Sequence, residues 1–396
     1  MYFLNRLTGR QSLPIFGLDN QSDNKQNIEI ELIDFALLNN LNEHSSLSRR
    51  VTFLSQQPAG DSVELVNGPL TRLTLCDPEE SSEIYTKLNL YEKCSEQWIR
   101  NVLQKKEGPI SEEEFKNIFI NSFQSWFGYR ETFRSCIIEI NAQFAKRDIV
   151  LDESTSHLRL YLTSGKQKAH TGHYTMDNSI FLITNAGGFY KLFLFGLALY
   201  IPIASLKKTL RLQIMKHITH EFYHVWSRNN PKEQEYLYNQ LGFFKCEVEV
   251  LHEYAQRLFF NPDLAYHVRF NYQNKWVMPI SLIDTKKCTY DGNIKRIPGE
   301  VPLPDYLQVE WLEVEEIDGT WCIKMDDNQQ VLCLKDKPQL SNIFGVDYTV
   351  HPEEILAEIF VHWIWPEIIS NPAQDERLKA YFPFLSQCFC KQEIDV

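Results

Sequence analysis

His220-Glu221-Phe222-Tyr223-His224, inside Arg211-LQIMKHITHEFYHVW-Ser227, is the stretch that decides the architecture. Apolar residues at Leu206, Leu210, Ile214, Ile218, Phe222 and Val225 recur at helical spacing, which predicts a buried amphipathic helix. On a helix, residues four apart share one face, about 5–6 Å apart at Cβ. His220 and His224 can therefore aim two imidazole nitrogens at one point, with Glu221 beside them. Two neutral nitrogen ligands and a carboxylate close to a metal-bound water are what a zinc hydrolase needs. With 11 histidines in 396 residues, chance supplies roughly 0.02 such motifs, so the pattern carries weight. The bland alternative is a helix with two polar core histidines near a salt bridge.

A chain of 396 residues has room for two domains, or for one large catalytic domain with an added module. Its 43% hydrophobic and 13% aromatic content is ample for a core. The net charge of −12, with no long basic run, argues against nucleic acid as a general partner. None of the nine cysteines forms a C-x-x-C pair, which predicts reduced thiols in a cytosol-like compartment rather than a disulfide framework. Met1-YFLNRLTGRQ has no apolar h-region, so no signal peptide is expected. Leu192-FLFGLALYIPI-Ala204 contains Pro202 and falls short of the ~20 residues that cross a bilayer. It reads as a core strand or helix, the alternative being a surface loop touching a membrane or partner. No transmembrane segment is expected. The expected location is cytoplasmic, or a host-cell cytosol reached through a dedicated secretion system.

Residues 1–60 are polar and rich in Asn, Gln and Ser, and Gln56-QPAGD-Ser62 reads as a loop. From Ile84 to Asp148 the pattern turns helical. Glu112-EEFKNIFINSFQSWF-Gly128 shows one apolar face, opened by a Ser111/Glu114 capping box and closed by Gly128. A second helix is expected over Tyr129–Ala145. Residues 1–150 therefore read as a mostly helical N-terminal module, with a boundary near 147–154. His157-LRLYLT-Ser164 and Asn178-SIFLIT-Asn185 read as strands. The long helix is expected over about Ser205–Arg228, ended by Asn229-Asn230-Pro231, and a short one over Lys232–Leu241, closed by Gly242. Trp276-VMPISLI, Tyr306-LQVEWLEV and Val331-LCL suggest a small β insertion at about 275–335.

His351-PEEILAEI-Phe360 is the second chemical element. Pro352 suits a first helical turn, and acidic residues suit its N-terminus. Glu354 and Glu358 are four apart on one face, mildly unfavourable unless a cation or imidazolium lies between them. A metal site supplies that compensation. Glu354 would be the third ligand, and Glu358 would accept the free N–H of His220 or His224 and fix its tautomer. The bland alternative is a solvated acidic helix start. Glu249 and Glu253, also four apart, are rival ligands. His217 and His224 lie seven apart, about 10.5 Å along the axis, so both cannot bind one ion, and His217 reads as a packing or outer residue. His173, Tyr348, His351 and His362 are candidates for stabilising an oxyanion.

H-E-x-x-H, followed downstream by a helical glutamate with an acid four residues later, resembles the gluzincin, or thermolysin-like, zinc peptidases. Glu353-Glu354-Ile355-Leu356-Ala357-Glu358-Ile359-Phe360 is similar to their second active-site helix position by position. With Gly242-FFKC-Glu247 and Asn261-Pro-Asp263 it also resembles an uncharacterised bacterial branch of such proteins. The resemblance covers roughly 155–370. It implies an α+β fold whose 151–396 part is a zincin-like metallopeptidase domain, with an active-site helix and a short mixed sheet, one edge strand of which pairs with extended substrate. It implies Zn2+ held by His220, His224 and Glu354, with Glu358 behind them and Glu221 as the base. The implied activity is endopeptidase cleavage of a protein or peptide by a Glu221-activated, zinc-bound water. Two departures stand out. The outer acid is Glu rather than Asp, and 130 residues separate His224 from Glu354. The alternative function is a protein-binding scaffold with a structural or vestigial metal site. Sequence alone gives no oligomeric state.

Overall fold

Leu73, Leu75, Leu158, Leu160, Leu162, Ile180 and Leu182 alternate with Cys76, Tyr161, Phe181 and Ile183, and both series are buried. A strand apolar on both sides must lie inside a sheet covered on both faces, and the fold is built that way. The computed structural model describes residues 62–64, 68–103, 107–126, 129–164, 173–183, 204–264, 267–284, 307–336, 338, 340–344, 351–366 and 372–390. These belong to one compact unit. Readings that fall on residues 1–60, Gly128, 192–203 and Tyr348 lie outside them.

The first sheet contains β1 (Ser62–Glu64), β2 (Arg72–Cys76), β3 (Phe123–Gln124), β4 (His157–Thr163), β5 (Tyr174–Met176) and β6 (Ser179–Ile183). Its order is β1-β2-β4-β6-β5, with β3 also on β4. The β2–β4 and β4–β6 pairings are parallel and the others antiparallel. On one face, Leu73, Leu160 and Leu182 pack with the Arg130–Lys146, Ala204–Asn229 and Pro352–Ile364 helices. On the other face, Tyr161, Tyr174 and Phe181 pack with Tyr85, Trp98, Phe115 and Phe119 from the helices between Ser81 and Ile120.

A second, antiparallel sheet runs in the order β11-β10-β9-β8-β7. Its strands are β7 (Phe243–Lys245), β8 (Val268–Tyr272), β9 (Lys275–Ile283), β10 (Leu307–Ile317) and β11 (Thr320–Ile323). Val277 and Trp311 join the main core, whereas Met278, Ile280, Leu312 and Val314 form a smaller core on the opposite face. The β region between the Ala204–Asn229 and Pro352–Ile364 helices thus starts at Phe243, not near 275. The early strands escape notice because β7 has only three residues and β8 is polar at alternate positions.

The fold is α+β, but two expectations are revised. Residues 62–150 are not a separate helical module. Arg72–Cys76 lies in register beside His157–Tyr161, so the expected boundary near 150 runs through one sheet. Without β2, β4 would lose its neighbour along a buried edge. The helix from Glu112 stops at Ile120 rather than reaching Gly128, because Phe123 and Gln124 leave it to pair with Thr163 and Leu162. At its start, the Ser111 half of the expected capping box is seen, with Ser111 Oγ accepting from Glu114 N–H. The helices Ala204–Asn229, Pro231–Gln240 and Pro352–Ile364 fall close to their sequence-based ranges. Among the described residues no disulfide forms, and no helix is long and apolar enough to cross a membrane.

Candidate metal centre

The Ala204–Asn229 helix is anchored by Ile214, Ile218, Phe222 and Val225, each at most 1% exposed. This fixes which face remains for His220 and His224. The Pro352–Ile364 helix lies against it. His351 caps that helix, its Nδ1 accepting from Glu353 N–H at 3.2 Å, and Pro352 occupies the first turn. The solvated acidic start does not hold, because Glu353 is 0% and Glu354 7% exposed.

His220, His224 and Glu354 converge, with one potential ligand atom from each within 4.8 Å of the others. Glu354 Oε2 is 3.2 Å from His220 Nε2 and 3.7 Å from His224 Nε2. Ligands on one tetrahedral zinc, about 2.1 Å from it, stand roughly 3.4 Å apart, so the donor set fits that ion. Glu249 and Glu253 are exposed and, among the described residues, belong to no such group.

Each imidazole has an acceptor behind it. His220 Nδ1 is 3.4 Å from Glu358 Oε1. His224 Nδ1 is 3.1 Å from Glu353 Oε1, a partner the sequence reading missed. Both contacts leave Nε2 facing the shared point. Glu353 also accepts from Ser227 Oγ, from Gln234 Nε2 at 3.1 Å and from Tyr238 OH at 2.5 Å. The sequence carries the signal as a count, since two imidazoles on a buried face need two acceptors and Glu358 supplies one.

Glu221 is 5% exposed, and its Oε2 has no hydrogen-bond partner among the described residues. A buried carboxylate oxygen without a partner, beside two imidazoles, suits a group whose partner is a reacting water. Burial, together with nearby Asp263, pushes the Glu221 pKa up to about 7. Burial opposes charging His220, but hydrogen bonds to Glu354 and Glu358 outweigh it, and its pKa rises to about 10. That of His224 is also raised, burial again being outweighed, first by Asp263 and Glu354. Glu358, despite burial, is brought down to about 2 by its bond to His220.

The signs give a pH prediction. With no metal bound, charged His220 contributes stability fully below its ordinary value of 6.5. That contribution is lost as pH rises through its folded value of about 10. Ionised Glu358 contributes above its ordinary 4.5, and this is lost as pH falls towards about 2. Zinc must displace the imidazole protons, so uptake near pH 7 should release about two protons per ion. Calorimetric titration in buffers of different ionisation enthalpy checks this. Uptake without proton release would mean that the imidazoles are already neutral.

An Asn261-Pro262-Asp263 turn closes one side of the centre. Asn261 Nδ2 donates to Glu354 Oε1 at 3.0 Å. Asp263 Oδ1 accepts from Thr175 N–H at 2.8 Å and Thr175 Oγ1 at 2.5 Å. Asp263 also forms a possible ligand group with Glu221 and His224. Arg228, on the histidine helix, donates to Asp177 O at 2.7 Å and Thr175 Oγ1 at 2.8 Å. Among the described residues, β5 ends the sheet beside the centre. Because Thr175 N–H and Asp177 O are already bonded, an added substrate strand would have to displace Asp263 and Arg228. The expectation of a free, substrate-pairing edge is revised to that extent.

Glu354 and His351 help line a cleft of about 970 Å³; His220, Glu221 and His224 are not part of its lining. Its apolar lining includes Leu258, Phe259, Phe260, Pro279 and Ile280, and Met176 and Arg228 also line it. Of the four candidate oxyanion donors, His351 lines this cleft. His173 Nδ1 instead accepts from Ile183 N–H, with its ring edge-on to His217 at 4.9 Å. His362 is buried at 6% exposure. His217 Nδ1 meets Gln213 O at 2.7 Å, a packing role within its own helix.

No protein-family model, curated protein or solved structure matches the chain.

Proposed function

We propose that the chain is a zinc-dependent endopeptidase with a zincin-like catalytic core, acting on a protein or peptide substrate. One observation carries the reading. His220, His224 and Glu354 offer three ligand atoms to one point, and Glu221 lies beside them with a buried, unpartnered oxygen. Three protein ligands are the number a catalytic zinc takes, whereas a structural zinc is closed by four.

Zinc, when bound there, supplies a Lewis acid that polarises a carbonyl and lowers the pKa of water from 15.7 to about 7. The remaining tasks fall to the chain. Glu358 and Glu353 hold the rings of His220 and His224 by Nδ1. Glu221 takes a proton from the attacking water and returns it to the leaving amine. His351, whose Nδ1 accepts from Glu353 N–H, lines the same cleft as Glu354 and is the candidate donor to an oxyanion. The apolar wall receives a substrate side chain.

The test is metal analysis of the purified protein, together with cleavage of an unfolded casein with and without a zinc chelator. One zinc per chain and chelator-sensitive cleavage are expected. A folded, zinc-free and inert protein would favour the scaffold.

A further inference from the structure

Glu354 carries two oxygens, and a carboxylate at the end of a glutamate has a soft terminal torsion. Left alone, it can offer one oxygen to a metal, or both. Here the two oxygens have different surroundings. Oε2 faces the two imidazoles, and Oε1 accepts from Asn261 Nδ2 at 3.0 Å. The amide of Asn261 is oriented in turn, because its Oδ1 accepts from Asp263 N–H at 3.2 Å. Pro262 restricts the backbone between them. The far end of the turn is held by Thr175 N–H on Asp263 Oδ1 and by Arg228 Nη2 on Pro262 O at 3.3 Å.

We propose that the Asn261-Pro262-Asp263 turn is a positioning element that makes Glu354 a one-oxygen ligand. Asn261 occupies Oε1, and Asp263 braces the turn on β5. The inference rests on the zinc reading of this site. It adds a determinant 93 positions from Glu354 in the chain, outside both active-site helices.

Full-length wild type, Asn261→Ala and Asn261→Ser are compared by zinc competition against a chromophoric chelator and by the visible spectrum of the cobalt(II) form. Serine keeps a short acceptor for Asp263 N–H but cannot reach Glu354, so it serves if the alanine variant folds poorly. Outer-shell changes of this kind typically weaken metal binding 10–100-fold, and both variants should fall in that range. Their cobalt absorption should weaken as the freed Oε1 raises the coordination number, with the metal-free melting temperature little changed. A merely structural role would lower that temperature and leave the cobalt spectrum alone. Glu249→Ala, far out on the surface, should match wild type. Wild type that takes up no zinc would overturn the metal reading and this inference with it. A zinc-binding wild type whose Asn261 variants keep its affinity within twofold, with an unchanged cobalt spectrum, would overturn the inference alone.

Discussion

Glu221→Gln should keep its zinc and its fold while losing hydrolysis by 10²–10⁴-fold or more, the usual worth of a general base. That range corresponds to about 3–5.5 kcal/mol of barrier. Glutamine preserves the shape of a side chain that is only 5% exposed, and it leaves His220, His224 and Glu354 untouched. What it removes is the ability to hold a proton. Burial already works against the charge on Glu221, whose pKa stands at about 7. The neutral amide therefore relieves a cost, and the variant should melt no lower than wild type. His220→Ala should lose both zinc and activity, which separates ligand from base. A zinc-loaded Glu221→Gln protein that cleaves casein within a few fold of wild type would sink the mechanism.

The second large effect is expected at Glu353, and it falls on stability. This carboxylate is fully buried and receives His224 Nδ1, Ser227 Oγ, Gln234 Nε2 and Tyr238 OH. Alanine strands four buried donors together. Breaking a buried charged pair alone costs about 3–5 kcal/mol, and each further unmet donor adds roughly 1–3 kcal/mol unless the site relaxes. Glu353→Ala should therefore be unfolded or nearly so. Glu353→Gln, which keeps the shape, should fold with lower stability in urea and bind zinc 10–100-fold more weakly. Glu358→Gln should cost less stability, since that side chain is 27% exposed. Urea unfolding with chelator present, and zinc competition, read the two effects separately. Wild-type values for Glu353→Gln in both would show that His224 is oriented by something else.

The parts of this site that could be read from sequence are those set by local geometry. His220, Glu221 and His224 follow from one helical turn, and Glu354 and Glu358 from another. Glu353 was hidden because an acid in a first helical turn has a ready explanation in the helix dipole, and nothing local says that it faces inward. Asn261 and Asp263 lie in a turn, where spacing carries no direction. The misplaced domain boundary has the same origin. The five-residue Arg72–Cys76 strand goes unread from sequence, and its partner β4 lies more than 80 positions away, so nothing local ties it to the later strands. The helix begun at Glu112 reads too long from sequence because Phe119 and Phe123 fit helical spacing, whereas Phe123 pairs with Thr163 across two strands.

The closure of β5 has a consequence for the molecule in concentrated solution. Exposed sheet edges act as templates on which other chains add strands, and natural proteins blunt them with short strands and charged side chains. β5 is three residues long, with Thr175 bonded to Asp263 and the following Asp177 carbonyl to Arg228. At this end of the sheet, edge-to-edge aggregation is blocked by the same two side chains that tie the histidine helix to the Asn261–Asp263 turn.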